Sequence, residues 1–162
     1  MCFIFIEQNS VNGGVIFIIG VNDYGFEIFG VIKAMIFKLF YILTDEYDAA
    51  IQHWGGNWRM PTKAELEALL SNCTVEWTQV NSVNGRKFTG KGAYASNSVF
   101  LPAAGYCYYG NVGGQGYVGI YWSSTPYGSY YAYYLYFDSG YQFVDNFYYR
   151  YYGFSVRAVL AE

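Results

Sequence analysis

The chain has 162 residues, of which 54% are hydrophobic, 23% aromatic and only 13% charged, against a usual charged share of about 25%. This is enough apolar material for one domain with a core of ordinary depth. A net charge of -3 and a pI near 5.1 give no basic footprint for phosphate backbones, so nucleic acid is excluded as a partner.

The first 43 residues are aliphatic, and two short apolar runs, Phe3-Ile4-Phe5-Ile6 and Val15-Ile16-Phe17-Ile18-Ile19, read as strands punctuated by Asn12-Gly13-Gly14 and Asn22-Asp23. There is no basic n-region or small-residue cleavage site, so no signal peptide is read. The greasy stretch Ile28 to Leu43 is interrupted by Lys33 and Lys38 and falls short of the roughly 18 uncharged residues a spanning helix needs. It reads as a packed helix or strand pair. These 43 residues are expected to complete the fold of a domain that occupies 44–162.

A helix is predicted from Thr44, with Asp45 and Glu46 against the positive end of its dipole and Tyr47, Ala50, Ile51 and Trp54 along one stripe. Gly55-Gly56 ends it. Thr62-Lys63-Ala64-Glu65 matches a capping box that opens a second helix, whose inward stripe is Leu66, Leu69, Leu70 and Cys73. From Thr74 the period changes to two, and Asn84-Gly85 reads as a tight hairpin turn. Further short strands are predicted at Ser98 to Leu101, Gly119 to Ser123, Tyr131 to Phe137, Tyr141 to Asp145 and Phe154 to Leu160. Helices followed by many short strands imply an α+β domain with antiparallel sheet.

Of the 20 tyrosines, 16 lie between Leu101 and Glu162, a stretch without lysine whose charges are Asp138, Asp145, Arg150, Arg157 and Glu162. Strand alternation places Tyr133, Leu135 and Phe137 on one face and Tyr134, Tyr136 and Asp138 on the other. The first face is expected to be core, the second a binding surface. The run Phe147-Tyr148-Tyr149-Arg150-Tyr151-Tyr152 would strand many hydroxyls if buried, so it is expected on an exposed loop or ribbon. Tyrosine offers rigid contact area with a polar tip, as in antibody paratopes, and Arg150 fits the same picture. The alternative is that these tyrosines merely cover sheet faces, where strand propensity favours them. Carbohydrate stacking and protein recognition are equally open.

Four blocks then carry a resemblance: Trp54-Gly55-Gly56-Asn57-Trp58-Arg59-Met60-Pro61-Thr62, Phe100-Leu101-Pro102-Ala103-Ala104-Gly105-Tyr106, Tyr121-Trp122-Ser123-Ser124-Thr125 and Gly153-Phe154-Ser155-Val156-Arg157-Ala158-Val159. In this order they resemble the Fibrobacter succinogenes major paralogous domain family, over roughly Asp45 to Ala161. The segment before Tyr41 departs from the family's usual opening. The resemblance implies a C-type lectin-like fold related to formylglycine-generating enzymes, with two helices packed on short antiparallel strands and a long irregular C-terminal binding face.

The resemblance also implies a variable protein of a diversity-generating retroelement, on a phage virion or bacterial cell surface, that binds a protein or glycan on a cell without enzymatic chemistry. In such proteins asparagine codons become Tyr, Phe, Asp or Ser within a constant frame. The frame would include Tyr133, Leu135, Phe137, Gly140, Arg150, Gly153, Phe154, Val156 and Arg157. The implied ligand-binding positions are Tyr127, Tyr130, Tyr131, Tyr134, Tyr136, Asp138, Tyr141, Phe143, Asp145, Phe147, Tyr148, Tyr149, Tyr151 and Tyr152, together with Tyr108 and Tyr109. Tyr134, Tyr136, Tyr141, Tyr148, Tyr149, Tyr151 and Tyr152 are expected as the main contacts. A fixed adhesin or glycan-binding module of the same fold is the alternative. Trimers occur among relatives, but no heptad pattern here supports one.

No cofactor or metal is expected. Cys2, Cys73 and Cys107 form neither a CxxC pair nor an even framework, and the pairing of Cys73 with Cys107 stays open beside separate thiols. Neither matches the reactive pair of formylglycine-generating enzymes. Glu65 is explained by capping and Glu67 by a solvated face, His53 stands alone, and Gly110 to Gly119 lacks the lysine and helix of a phosphate loop. Asp138 and Asp145 are too few for a lectin-type calcium site.

Overall fold

The computed structural model describes Phe3–Ile6, Ile16–Ile19 and residues 43–161. The proposed turns at Asn12-Gly13-Gly14 and Asn22-Asp23, the body of the Ile28 to Leu43 run and Cys2 lie outside the described residues. In chain order the elements are β1 (Phe3–Ile6), β2 (Ile16–Ile19), α1 (Ala49–Trp54), β3 (Trp58–Arg59), α2 (Lys63–Asn72), β4 (Cys73–Val80) and β5 (Val83–Gly90). Then follow β6 (Ser98–Pro102), β7 (Tyr106–Tyr108), β8 (Asn111–Gly113), β9 (Gly119–Tyr127), β10 (Tyr131–Phe137), β11 (Gln142–Asp145), β12 (Phe154–Val156) and β13 (Val159–Leu160). The fold is α+β and mostly strand.

Ala50, Ile51 and Trp54 of the first apolar stripe do lie on a helix, but it begins later than the capping residues suggested, so Tyr47 falls in the preceding turn and is exposed. Thr44 makes no side-chain cap, and residues Asp45–Tyr47 form a 3-10 turn. Asp48 is the true N-cap of α1: its Oδ1 accepts from Ala50 N at 2.8 Å and Ile51 N at 3.1 Å. The same carboxylate accepts from Met60 N at 2.9 Å and 3.1 Å, so one side chain closes the helix and fixes the strand that follows. Gly55, at φ 65, ends α1 as expected. The capping box of α2 is present in both directions, with Thr62 N donating to Glu65 Oε2 at 2.7 Å and Glu65 N to Thr62 Oγ1 at 3.2 Å. Arg59 clamps Glu65 through both terminal nitrogens at 2.8 Å and 2.6 Å.

The sheet β4-β5-β6 is a meander. Its first turn is Asn81-Ser82, both at positive φ (50 and 65), not the predicted Asn84-Gly85. Gly85 instead lies within β5 opposite Pro102, where an added Cβ would meet Leu101 O at 2.3 Å and the Phe100 ring at 2.6 Å. That glycine serves close packing between strands rather than a turn.

A six-stranded sheet has the order β1-β2-β12-β9-β10-β11, in which β12 runs parallel to β9 and the other pairs are antiparallel. β9 is its spine, since every residue from Gly119 to Ser124 is buried. Alternate residues on it serve two cores. Tyr121, Leu135 and Phe137 pack with Leu66, Phe88, Leu101 and Ala103 on the face covered by α2 and the meander, joined by Leu69, Leu70, Cys73, Val75 and Trp77. Ile120, Trp122, Tyr134, Phe154 and Val156 pack on the opposite face with Ala50 and Met60. The predicted inward stripe of α2 and the alternation of Val75 with Trp77 are thus borne out.

The four sequence blocks converge on this spine. Ser124 N donates to Pro61 O at 2.8 Å, and Tyr121 OH donates to Pro102 O at 2.8 Å. Ser155 pairs with Tyr121, and Val159 and Leu160 pair with Arg59 and Trp58. The predicted strand from Phe154 to Leu160 is broken after Val156 so that its end can make this last pairing.

Two outcomes follow for stability. Asp48→Ala leaves helix and strand amides without their acceptor and should lower the unfolding free energy by about 3 kcal/mol in equilibrium urea titration. The hydrogen-bonded Arg59 side chain is the main cause that holds the Glu65 carboxyl at about 2, below its ordinary 4.5. Its contribution is full above 4.5 and is lost as pH falls toward 2. Glu65→Gln should therefore flatten the fall in urea midpoint over that interval relative to the parent chain.

Candidate functional site

The predicted contact tyrosines divide by depth into three sets. Tyr134 is corrected: it is only 3% exposed and belongs to the second core, edge-on to Trp122 at 6.0 Å and Tyr148 at 5.0 Å. Alternation along β10 does separate Tyr134 and Tyr136 from Leu135 and Phe137, but both faces of the sheet are covered. Tyr148 and Tyr152 of the segment 146–153 and Tyr106 of β7 form a lid on the second face, beside Ala50 of α1 and Met60. Burial raises the pKa of the Tyr134 phenol above its ordinary value, with the Asp145 charge adding to the effect.

Tyr136, Tyr148 and Tyr152 are half-buried against the same core. Tyr136 stacks on Phe143 at 4.9 Å, and its hydroxyl donates to Asp138 Oδ2 at 3.1 Å. Asp138, half-buried, also builds the turn that follows. Its Oδ1 accepts from Gly140 N at 2.7 Å and Tyr141 N at 2.8 Å, and these backbone donors lower its pKa, Gly140 first. Asp145 is half-buried and accepts from Asn146 N at 2.7 Å. Tyr133, expected in the core beside Leu135, is displaced by a register shift between Ala132 and Tyr134. It remains half-buried, with Tyr127 edge-on at 5.6 Å and the Lys63 ammonium 4.7 Å from its ring centre.

The outward set is Tyr109, Tyr127, Tyr130, Tyr141, Phe143, Phe147, Tyr149 and Tyr151, all exposed. Within the run 147–152 the side chains alternate. Phe147, Tyr149 and Tyr151 face out, whereas Tyr148 and Tyr152 face in and are half-buried. The exposed ribbon expected from composition is therefore half lid and half surface. Tyr108, Tyr131 and the inward-leaning Tyr152, all half-buried, link three of the outward rings, Tyr109, Tyr149 and Tyr151, into a continuous row. From Tyr131 the ring centres step to Tyr149 (4.5 Å), Tyr151 (5.1 Å), Tyr152 (5.2 Å), Tyr108 (4.5 Å) and Tyr109 (4.4 Å). Hydrogen bonding with Tyr149 raises the pKa of Tyr131, and desolvation raises those of Tyr151 and Tyr152. These phenols stay neutral at physiological pH.

Arg150, half-buried, is bonded to the main chain of the β9–β10 turn. Its Nε donates to Tyr131 O at 2.8 Å and its guanidinium to Gly128 O at 2.7 Å, while its backbone N donates to Tyr130 O at 2.9 Å. Arg86, buried in β5, plays a similar part at the other turn, donating to Asp138 O at 2.9 Å. The resemblance implied a frame position for Arg150, but the partners of both arginines were not legible in sequence, because the acceptors are main-chain carbonyls with no residue signature. Tyr94 and Tyr117, 69% and 77% exposed, are also outward tyrosines that the strand pattern did not single out. No disulfide joins Cys73 to Cys107; the first is half-buried in the α2 core and the second buried. Among the described residues there is no cluster of three or more metal-ligating side chains. Nor, among them, is any helix long and apolar enough to cross a membrane.

The structure thus defines an α+β domain that presents a row of aromatic rings held by a double-faced sheet. Residues 75–159, from β4 to β13 and more than half the chain, match the family described as Domain of unknown function (DUF8237), and the chain belongs to that family. No curated protein and no solved structure matches it significantly.

Removing the rings should separate the sets. Tyr134→Ala should cost about 3–5 kcal/mol of unfolding free energy, whereas Tyr130→Ala and Tyr151→Ala should each stay within about 0.5 kcal/mol; equilibrium denaturation monitored by far-ultraviolet dichroism distinguishes them.

Proposed function

We propose that this chain is a non-enzymatic binding protein of the C-type lectin-like kind. It grips a protein or glycan on a cell surface through the row of tyrosines around Tyr149 and Tyr151, displayed on a phage virion or bacterial surface. The observation that carries the reading is that row. Six rings from Tyr131 to Tyr109 touch in sequence, although they come from β7 and the turn after it, β10 and the segment before β12. Monomeric surfaces seldom expose contiguous aromatic area without a partner. Rings already packed on their neighbours lose little freedom on binding.

Diversification by a retroelement is part of the proposal for the outward positions Tyr109, Tyr127, Tyr130, Tyr141, Phe143, Phe147, Tyr149 and Tyr151. The convergence of the four resemblance blocks on β9 supports the lectin-like frame. One observation favours the second reading, a fixed adhesin of the same fold. Tyr134 is core and Asp138 builds a turn, so free variation at those positions would damage the domain.

The test has two arms. The parent chain and a Tyr109→Ala/Tyr151→Ala variant are applied to a panel of bacterial cells and a glycan array. The parent is expected to be retained on at least one surface, and the variant at least about tenfold less. Equal retention of the two would sink the proposal. Sequencing of flanking DNA separates the readings. A near-copy of the segment with asparagine codons at the outward positions marks diversification, and its absence marks a fixed surface.

A further inference from the structure

We propose that Arg86 and Arg150 are positioning residues of the aromatic surface, each anchoring one of the two loops that carry outward rings; this rests on reading that surface as the binding site. The β9–β10 turn presents Tyr127 and Tyr130, and the β10–β11 turn presents Tyr141. Short loops of this kind ordinarily fluctuate, because their backbone groups are solvated and few contacts hold them. Here each receives a guanidinium. Arg150 spans the first loop from Gly128 O to Tyr131 O, at 2.7 Å and 2.8 Å, and its own amide adds a bond to Tyr130 O at 2.9 Å. This ties the lid 146–153 to the turn and seats Tyr149 against Tyr131, a contact also marked by a backbone bridge between the two residues.

At the second loop Arg86 reaches across from the meander sheet, 6% exposed, to Asp138 O at 2.9 Å and Tyr141 O at 3.4 Å. The Asp138 carboxylate then closes the turn from within, on Gly140 N and Tyr141 N. The guanidinium suits this task. It is planar, permanently charged and donates in two directions, so one side chain can hold two carbonyls of a curved backbone, as a lysine ammonium cannot do with the same geometry. Each acceptor is a main-chain oxygen, which every amino acid supplies. The loop conformation is thereby held independently of the side chains it displays at Tyr127, Tyr130 and Tyr141.

Amide hydrogen exchange on the whole chain, with Arg150→Lys and Arg86→Lys variants, tests the assignment without any ligand. Arg150→Lys should speed exchange about tenfold or more in 128–131 and 146–152 while leaving 138–141 and the β9 amides unchanged. Arg86→Lys should do the reverse for 138–141. In proton resonance spectra of the Arg150→Lys variant, the ring-current shifts of Tyr131, Tyr149 and Tyr151 should shrink toward random-coil values, while those of Ile120 and Val156 beside Trp122 persist. Unchanged loop exchange in both variants, or a parallel rise throughout β9, overturns the proposal, the second because it marks mere core stability. Because these readouts need no partner, failure of the binding reading would appear separately, as equal cell and glycan retention of the parent and Tyr109→Ala/Tyr151→Ala proteins.

Discussion

Everything in this domain depends on a strand that is buried on both faces. β9 contributes Tyr121 to one core and Ile120 and Trp122 to the other. A sheet in this position cannot leave either face to water without exposing large apolar side chains, each worth about 1.5–3 kcal/mol when buried. One face is closed in the ordinary way, by α2 and a three-stranded meander. Among the described residues the other is closed by the short helix α1 and Met60 together with aromatic side chains from an irregular segment. Gly119 shows how tight the spine is: a Cβ there would meet the Phe137 ring at 2.1 Å.

That closure explains the chain's composition. A lid built from loop must fill volume without the regular backbone bonding of a helix or sheet. Tyrosine does so with a rigid ring whose hydroxyl can reach solvent or a neighbour. Tyr148 and Tyr152 lie edge-on or tilted against Phe154 at 5.1 Å and 5.7 Å, while Tyr149 and Tyr151 turn outward from the same run. Structural and displayed rings thus alternate along one segment, and the second set inherits its order from the first.

The polar interior follows the same economy of parts. Asp48 satisfies amides of a helix and of the strand beyond it, and Glu65 joins Thr62 to Arg59. Arg86 and Arg150 supply donors to carbonyls in turns that would otherwise depend on water. In each case one charged side chain links two segments distant in sequence or separated by a turn. This lets a chain with so few charges hold irregular structure in place.

Local physics determined much of this protein in advance. The capping box at Thr62, the stripe Leu66, Leu69, Leu70 and Cys73, the glycine stop at Gly55 and the alternation of β4 and β10 depend on neighbours within a few residues, so they are written in the sequence. The concentration of tyrosine toward the C-terminus likewise announced an aromatic surface. Tertiary structure alone decided which tyrosines that surface contains. Period-two alternation says that Tyr134 and Leu135 face opposite ways but cannot say whether the second face is wet, because its cover comes from residues 146–153, remote along the chain. For the same reason the turn at Asn81-Ser82 displaced the stronger Asn84-Gly85 signal: strand packing against Leu101 and Phe100 claimed Gly85. Thr44 yielded the helix cap to Asp48 because the latter also satisfies Met60. Where one residue serves two partners, the partner far away in sequence sets its role.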